Sequence, residues 1–374
     1  MRILFLSCST GEGHNSAARS LMDAFSALDV ESDIIDLIMF KKDKKNRVAS
    51  SRYQYNFIIS HFPHLFGFIY KIGGIYEATH LPSPVAYFKS KYAGELCEYI
   101  KKGGFDAVVA THIYPMQAMV AVRKKYGLDI PTFCILTDYT VIPFYKDANS
   151  LDAQFISCEH QIKMLVKRGF DKDKIYNLGI PTNPKFGIDI TKEEAKAQLG
   201  LPIDKRMVML LSGGAGCGKI SKICEKLNER LSADTVICVF PGKNAKLSSA
   251  LKSKFADNAR VFVVDFTPDV NIYMKAADVV LSKPGGLSST EIAASRVPLV
   301  HLKEIPGCES ANIKHFTKTG MSVPGRTVKS AVEQTLRLLS DVELAENMRK
   351  CQRENISSDS AKHIAEKILD EIRK

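Results

Sequence analysis

No stretch of this chain approaches the roughly 20 apolar residues that a membrane-spanning helix needs. The short run Ile3 to Leu6 has neither the length nor the cleavage site of a secretory leader, so the expected location is the cytoplasmic side. The nine cysteines form no C-x-x-C pair and no cluster with histidine at metal spacing, and most sit inside apolar runs, as reduced core thiols do. No low-complexity tract argues for disorder. Neither "GEGHNS" nor "GGAGCG" gives G-x-G-x-x-G with an acidic residue closing the second strand, which argues against a dinucleotide-binding fold.

What is present is an ordinary globular composition, 45% hydrophobic and 25% charged, over 374 residues. That length exceeds the roughly 250 to 300 residues at which single cores stop growing, and two domains are expected. The formal net charge is +11, but no recognised nucleic-acid module accompanies it, so nucleic acid is not an expected partner. From Lys41 to Lys102 there are 11 Lys or Arg against 4 Asp or Glu, and the same window carries "YQYNFIISHFPHLFGFIYKIGGIY". Basic residues interleaved with aromatics suit an anionic membrane surface; the alternative is a helical hairpin with its aromatics in the core and its charges solvated.

Apolar runs of strand length alternate with helical segments throughout. The first half reads "RILFLSC", "SDIIDLI", "DAVVATH", "TFCILTD", "AQFISC" and "KIYNLGI"; the rhythm restarts with "RMVMLLS", "TVICVFPG", "ARVFVVDF", "DVVLSKPGG" and "PLVHLK". Such alternation predicts parallel strands joined by crossovers, here as two doubly wound α/β domains. The stretch "GIPTNPKFGIDITKEE" is the expected linker, giving domains over 1–186 and 187–354, with a last helix over about 355–374 that packs back on the first. Ligands of such sheets bind at the carboxyl ends of the strands, which makes a cleft between the domains the expected site.

Three glycine-rich turns follow strands: Gly11 with Gly13, Gly213 to Gly218, and Gly285 with Gly286. Glycine lets backbone amides approach a phosphate, and a following helix adds its positive N-terminal end, so a diphosphate-bearing ligand is expected. Gly213, Gly218 and Lys219 fit the G-x-x-x-x-G-K of nucleotide triphosphatases, and Asp265 at the end of "VFVVD" could pose as the second magnesium ligand. Ile220, however, stands where that loop needs Ser or Thr for magnesium, and the other two glycine turns would be idle.

The segments "STGEGHNSAA", "LLSGGAGCGK", "FPGKNAKL", "SKPGGLSSTE" and "PGCESAN" resemble, in order and spacing, those of the monogalactosyldiacylglycerol synthases and processive diacylglycerol glucosyltransferases of glycosyltransferase family 28. The resemblance runs from Met1 to about Thr327, and the "KPGGL" and "PG-E-N" pair is its most specific part. It implies a GT-B fold, two Rossmann-like domains facing across a cleft, with the sugar nucleotide held mainly by the second and a lipid acceptor by the first. The implied reaction is transfer of a hexose from UDP-glucose or UDP-galactose to a diacylglycerol-type lipid, with inversion and without a metal or other cofactor.

Carried over residue by residue, the resemblance sets Gly213 and Gly214 near the diphosphate. It gives the nucleoside to Gly242, Lys243, Asn244 and the backbone of Phe266, and the ribose to Glu291 behind Pro284, Gly285 and Gly286. Glu309 and Asn312 would take the hexose hydroxyls, where Cys308 replaces the family's usual Gln. On the acceptor side it implies His14, following Gly13, as the base, with Asp138 to orient or activate a hydroxyl and with His112 and Tyr145 nearby. Ile142 and Tyr145 replace a histidine and a tryptophan of the family's T-D-x-x-x-H-x-x-W stretch. Transfer to an isoprenoid-linked or other envelope lipid therefore stays open, as does a sugar-nucleotide-binding regulator that no longer transfers. The basic-aromatic window corresponds to the family's membrane-facing insertion, which implies peripheral attachment to the cytoplasmic face.

Overall fold

The computed structural model describes residues 1–9, 12–37, 40, 93–213 and 219–374, and helices and strands are numbered among these. Most of the basic-aromatic window, with Gly11, Gly214 and Gly218, lies outside the described residues. The chain divides into two compact units: Met1–Asn183 with Ile305–Cys308 and Asp359–Lys374, and Pro184–Glu304 with Glu309–Ser358.

The first unit is built on β1 (Arg2–Ser7), β2 (Glu31–Asp36), β3 (Ala107–Ala110), β4 (Thr132–Ile135), β5 (Ala153–Ile156) and β6 (Ile175–Asn177). They form one sheet in the order β2-β1-β3-β4-β5-β6, parallel throughout. Side chains alternate across a strand, so a sheet covered on both faces needs apolar residues at consecutive positions. Accordingly Ile3, Phe5, Ala107, Val109, Phe133 and Phe155 enter one core, and Leu4, Leu6, Val108, Ala110 and Cys134 enter the other.

Helices α1 (Glu12–Ser26), α2 (Ala93–Gly103), α3 (Ile113–Tyr126) and α4 (His160–Val166) belong to this unit. The core on the Phe5 face is completed from the far end of the chain, by a helix over Ser360–Ile372. Its Ala361, Ile364, Ala365, Ile368 and Leu369 recur at helical spacing and are all buried there. Ser360 fixes its start by donating its hydroxyl to the Ile180 carbonyl at 2.7 Å.

The second unit repeats the plan with β7 (Arg206–Leu211), β8 (Thr235–Phe240), β9 (Val261–Val263), β10 (Val279–Ser282), β11 (Leu299–His301) and β12 (Val323–Pro324). The order is β12-β11-β10-β7-β8-β9, again parallel throughout. Its helices are α5 (Lys192–Gln198), α6 (Ile220–Arg230), α7 (Ala245–Lys254), α8 (Val270–Ala276), α9 (Gly286–Ala294), α10 (Cys308–Lys318), α11 (Val328–Ser340) and α12 (Val342–Asn355). The helix Ser360–Ile372 is α13. Helix α5 opens on a full capping box, Thr191 with Glu194.

In both sheets the first strand of the unit lies inside, and the chain runs outward from it in two directions: β1 between β2 and β3, β7 between β8 and β10. Such a reversal leaves a crevice at the carboxyl ends of the two strands beside it, because their following segments depart to opposite faces. Eight described cysteines are free thiols and six of them are buried. Burial pushes Cys134, Cys158, Cys224 and Cys238 up to about 12, so they stay protonated packing groups.

Candidate functional site

At the first reversal, the segments after β1 and β3 bring His14 and His112 together, with ring centroids 4.5 Å apart and edge to face. His14 sits in the first turn of α1, and its Nδ1 lies 3.0 Å from the Thr111 carbonyl and 2.8 Å from Thr137 Oγ1. A carbonyl only accepts, so Nδ1 carries the proton and Nε2 presents a lone pair. His112 has the complementary arrangement: it caps α3, its Nδ1 accepting from the Tyr114 amide at 3.1 Å, which leaves the proton on Nε2. One ring is thus set as an acceptor beside another set as a donor.

Polar side chains hold this corner. Ser7 donates to Asn15 Oδ1 at 2.6 Å, Asn15 donates to Ser9 Oγ at 2.9 Å, and Thr111 donates to Ser7 Oγ at 3.2 Å. The Ser9 amide donates to Asp36 Oδ2 at 3.1 Å, tying in the end of β2. Burial lowers the His14 pKa to about 4, against the opposing pull of the Thr111 carbonyl, so the ring is neutral at ordinary pH.

Asp138 follows Thr137 directly, three residues past the end of β4. Its carbonyl accepts from Ser157 Oγ (2.9 Å) and Gln161 Nε2 (3.0 Å), which fixes the backbone that carries the half-buried carboxyl. Gly13 precedes His14 in the same helical turn. Tyr145 is different: it is 4% exposed, stacks on Phe170, and donates its hydroxyl to Gln154 Oε1 at 2.6 Å. It is a core side chain, and its position does not offer a contact surface to a ligand. Ile142 also packs against the core.

At the second reversal, Gly213 follows β7 with φ +73°, a conformation that a side chain strains. A Cβ there would stand 3.7 Å from Lys283 Cδ, so the turns after β7 and β10 are neighbours. Lys283 Nζ lies 3.6 Å from Glu309 Oε1, both side chains about one-fifth exposed. Asn312, fully buried on α10, donates its amide to the Pro284 carbonyl at 3.0 Å. That bond fixes the turn Pro284–Gly285 from which α9 starts. Gly285 supplies no side-chain cap and α9 has no acidic residue in its first turn, so its amides and their partial positive charge are left for an anion.

Glu291 is half-buried further along α9, and burial pushes its carboxyl up to about 8 against the opposing charge of Lys185. After β8, Gly242 turns with φ +66°, and Asn244 caps α7 by accepting from the Leu247 amide at 2.9 Å. Lys243 Nζ stands 6.0 Å above the ring of Phe266, which is 78% exposed. The triphosphatase reading fails on geometry: β9 ends at Val263, and Asp265 is held on the surface by Lys252 (2.5 Å) and Ser248 (2.9 Å).

The structure therefore gathers His14 with His112, and Gly213 with Lys283, Pro284, Glu309 and Asn312. It puts Tyr145 in the core. Sequence reasoning missed Thr111 and Thr137 as partners of His14, and Lys283 as the partner of Glu309. The available signal was a polar residue just past a strand end in each case: "ATH", "LTD" and "SKP". It also missed a buried polar cluster, in which His301 lies 2.9 Å from both Ser289 Oγ and Ser322 Oγ. Burial lowers the His301 pKa to about 3.

Comparison with known proteins accords with this geometry. A family model described as "Monogalactosyldiacylglycerol (MGDG) synthase" matches residues 14–182, and "Glycosyl transferases group 1" matches residues 211–355. A processive diacylglycerol beta-glucosyltransferase of Bacillus pumilus is 26% identical over 99% of this chain and 94% of its own length. Among solved structures, MnaA of S. aureus with UDP aligns with a TM-score of 0.66 at 14% identity, over 100% of this chain and 98% of its own. MurG of Acinetobacter baumannii aligns with a TM-score of 0.63 at 14% identity, covering 99% of each chain.

These structural likenesses show the GT-B fold of two Rossmann-like units, and with the matched segments they define a glycosyltransferase of that class. Within that class, the chain is similar to the monogalactosyldiacylglycerol synthases and processive diacylglycerol glucosyltransferases.

Proposed function

We propose that this enzyme transfers a hexose from UDP-glucose or UDP-galactose to a diacylglycerol-type lipid, with inversion, at the cytoplasmic face of a membrane. The observation that carries the reading is the second reversal, where a positive-φ glycine, an uncapped helix start and the Lys283–Glu309 pair stand together. This is what a sugar diphosphate asks for: amides for the phosphates, and a fixed carboxylate and amide for hydroxyls.

In this reading the turn at Gly213 and Gly214 and the start of α9 receive the diphosphate. Glu291 accepts from the ribose hydroxyls, and Gly242, Lys243, Asn244 and Phe266 border the nucleoside. Glu309 and Asn312 meet the hexose. Stabilisation of the departing UDP by amides needs no metal or other cofactor. His14 Nε2 takes the proton of the acceptor hydroxyl. Burial keeps that nitrogen unprotonated but makes it a weak base, and Asp138 orients or activates the acceptor hydroxyl.

Among the described residues no helix is long and apolar enough to cross a membrane. The surplus of positive charge between Lys41 and Lys102 supports attachment through anionic lipid instead. Nucleic acid is not a partner in this reading. A second acceptor, isoprenoid-linked or another envelope lipid, is favoured by one observation. Position 145 is a buried tyrosine and position 142 an isoleucine packed on the core, where the family usually has tryptophan and histidine.

The test is incubation of purified enzyme with competing UDP-glucose and UDP-galactose and with diacylglycerol vesicles, followed by mass spectrometry. A hexosyl-diacylglycerol is the expected product. Absence of any glycolipid together with poor UDP binding would sink the reading. Product formed only from isoprenoid-linked or other envelope lipids would select the second acceptor.

A further inference from the structure

The second unit carries a cavity of about 350 Å³ at the end of its sheet remote from the glycine turns. Arg206, the first residue of β7, lines it, whereas Gly213 follows the last. Six strand residues separate these ends, roughly 20 Å at about 3.3 Å per residue. Arg230 and Arg337 line the same cavity, in the last turns of α6 and α11.

Arginine in a last helical turn is ordinarily explained by the helix dipole, whose carboxyl end attracts cations. Here other guanidinium groups already fill that role. Arg260 donates to the carbonyls of Asn228 (2.8 Å), Leu231 and Ser232 (both 3.1 Å) at the end of α6. Arg206 donates to the Leu339 carbonyl of α11 at 3.2 Å and pairs with Asp234 at 3.2 Å. The nearest helical acid on α6, Glu229, is paired with Lys226 at 2.6 Å. Arg230 and Arg337 have no anionic partner among the described residues. Two guanidinium groups without a carboxylate partner among the described residues thus border one cavity.

We propose that this cavity is a second anion site, binding a phosphate group through the planar forks of Arg230 and Arg337. Guanidinium matches phosphate with two parallel bonds and is weakly hydrated, so it surrenders water for such a partner more readily than lysine does. The volume admits a phosphate with a small organic substituent, free in solution or projecting from a lipid headgroup. This site is independent of the sugar-nucleotide reading, since it lies at the other end of the strands.

The test is hydrogen exchange read on the peptides spanning 228–234 and 335–341, with saturating UDP present to occupy any site at the glycine turns. The probes are inorganic phosphate, phosphatidylglycerol vesicles and phosphatidylcholine vesicles. Slowing of exchange by about threefold or more in both peptides is expected, because bound ligand suppresses local opening. The Arg230→Gln/Arg337→Gln pair should abolish it, each single change should weaken it, and Lys329→Gln on the same helix should leave it intact. Both arginines are exposed, so the variants are expected to fold. Protection by phosphate alone identifies a soluble ligand, and protection by phosphatidylglycerol alone identifies a headgroup. Protection by neither, or protection undiminished in the double variant, overturns the proposal.

Discussion

Burial gives His14 and Glu291 opposite protonation habits, and each leads to a measurable pH dependence. His14 falls from 6.5 to about 4 and His301 from 6.5 to about 3. Between those values and 6.5 the unfolded chain binds more protons than the folded one, so stability rises with pH across that window and is complete above it. The melting temperature should therefore drop as pH falls from 6.5 towards 4, and His301→Gln should remove part of that slope. Glu291 has the reverse sign, its carboxyl rising from 4.5 to about 8, so its contribution is lost as pH rises through that interval. Ionisation adds acceptor capacity, so UDP affinity measured by calorimetry should increase from pH 7 to pH 9. Glu291→Gln should abolish this rise and weaken UDP by about tenfold or more, the scale of a charged hydrogen bond.

His14→Ala should lower turnover by at least about a hundredfold, the contribution of a positioned base, while UDP affinity stays within about twofold. Unchanged turnover would remove His14 from the mechanism. Tyr145→Phe separates a core role from a ligand role. It strands the buried Gln154 Oε1 and should cost about 1–3 kcal/mol in denaturant unfolding, with KM for the lipid unaltered.

For the elements, the glycine turns decide geometry. Gly213 at φ +73° should tolerate alanine poorly, losing about 1–2 kcal/mol of stability or shifting the turn, with UDP affinity falling in either case. The same turns explain what the sequence made legible. Strands buried on both faces leave unbroken apolar runs, and "RILFLSC" or "TVICVFPG" can be read without a structure. Glycine beyond a strand end marks a close approach, so the turns at Gly213 and Gly285 could be singled out too. Partnerships across the sheet left no local trace. His14 meets Thr111 and Thr137 over separations of 97 and 123 residues, which only strand order decides. The resemblance implies an acceptor-side Tyr145, in the place of a family tryptophan, yet the chain turns it inward onto Phe170. Asp265 failed as a strand-end acid because β9 stops two residues earlier.

For the whole molecule, two expectations concern conditions rather than residues. Chelation with EDTA should leave transfer unchanged, since the proposed leaving-group stabilisation uses amides; a loss restored by Mg²⁺ or Mn²⁺ would refute that part. With a net charge of +11, co-sedimentation with phosphatidylglycerol vesicles should be strong at low ionic strength and should decline steeply towards about 1 M salt.

Helix α13 gives the first unit a dependence on the end of the chain. Its Ile364, Ile368 and Leu369 close the core over Phe5 and Phe25, at about 1.5–3 kcal/mol for each large side chain buried. A ribosome making this protein therefore releases the whole second unit before the residues that finish the first. The earliest-made sheet waits with one face uncovered, dependent on chaperones for the longest interval, and a truncation ahead of Ser360 would strand it in that state.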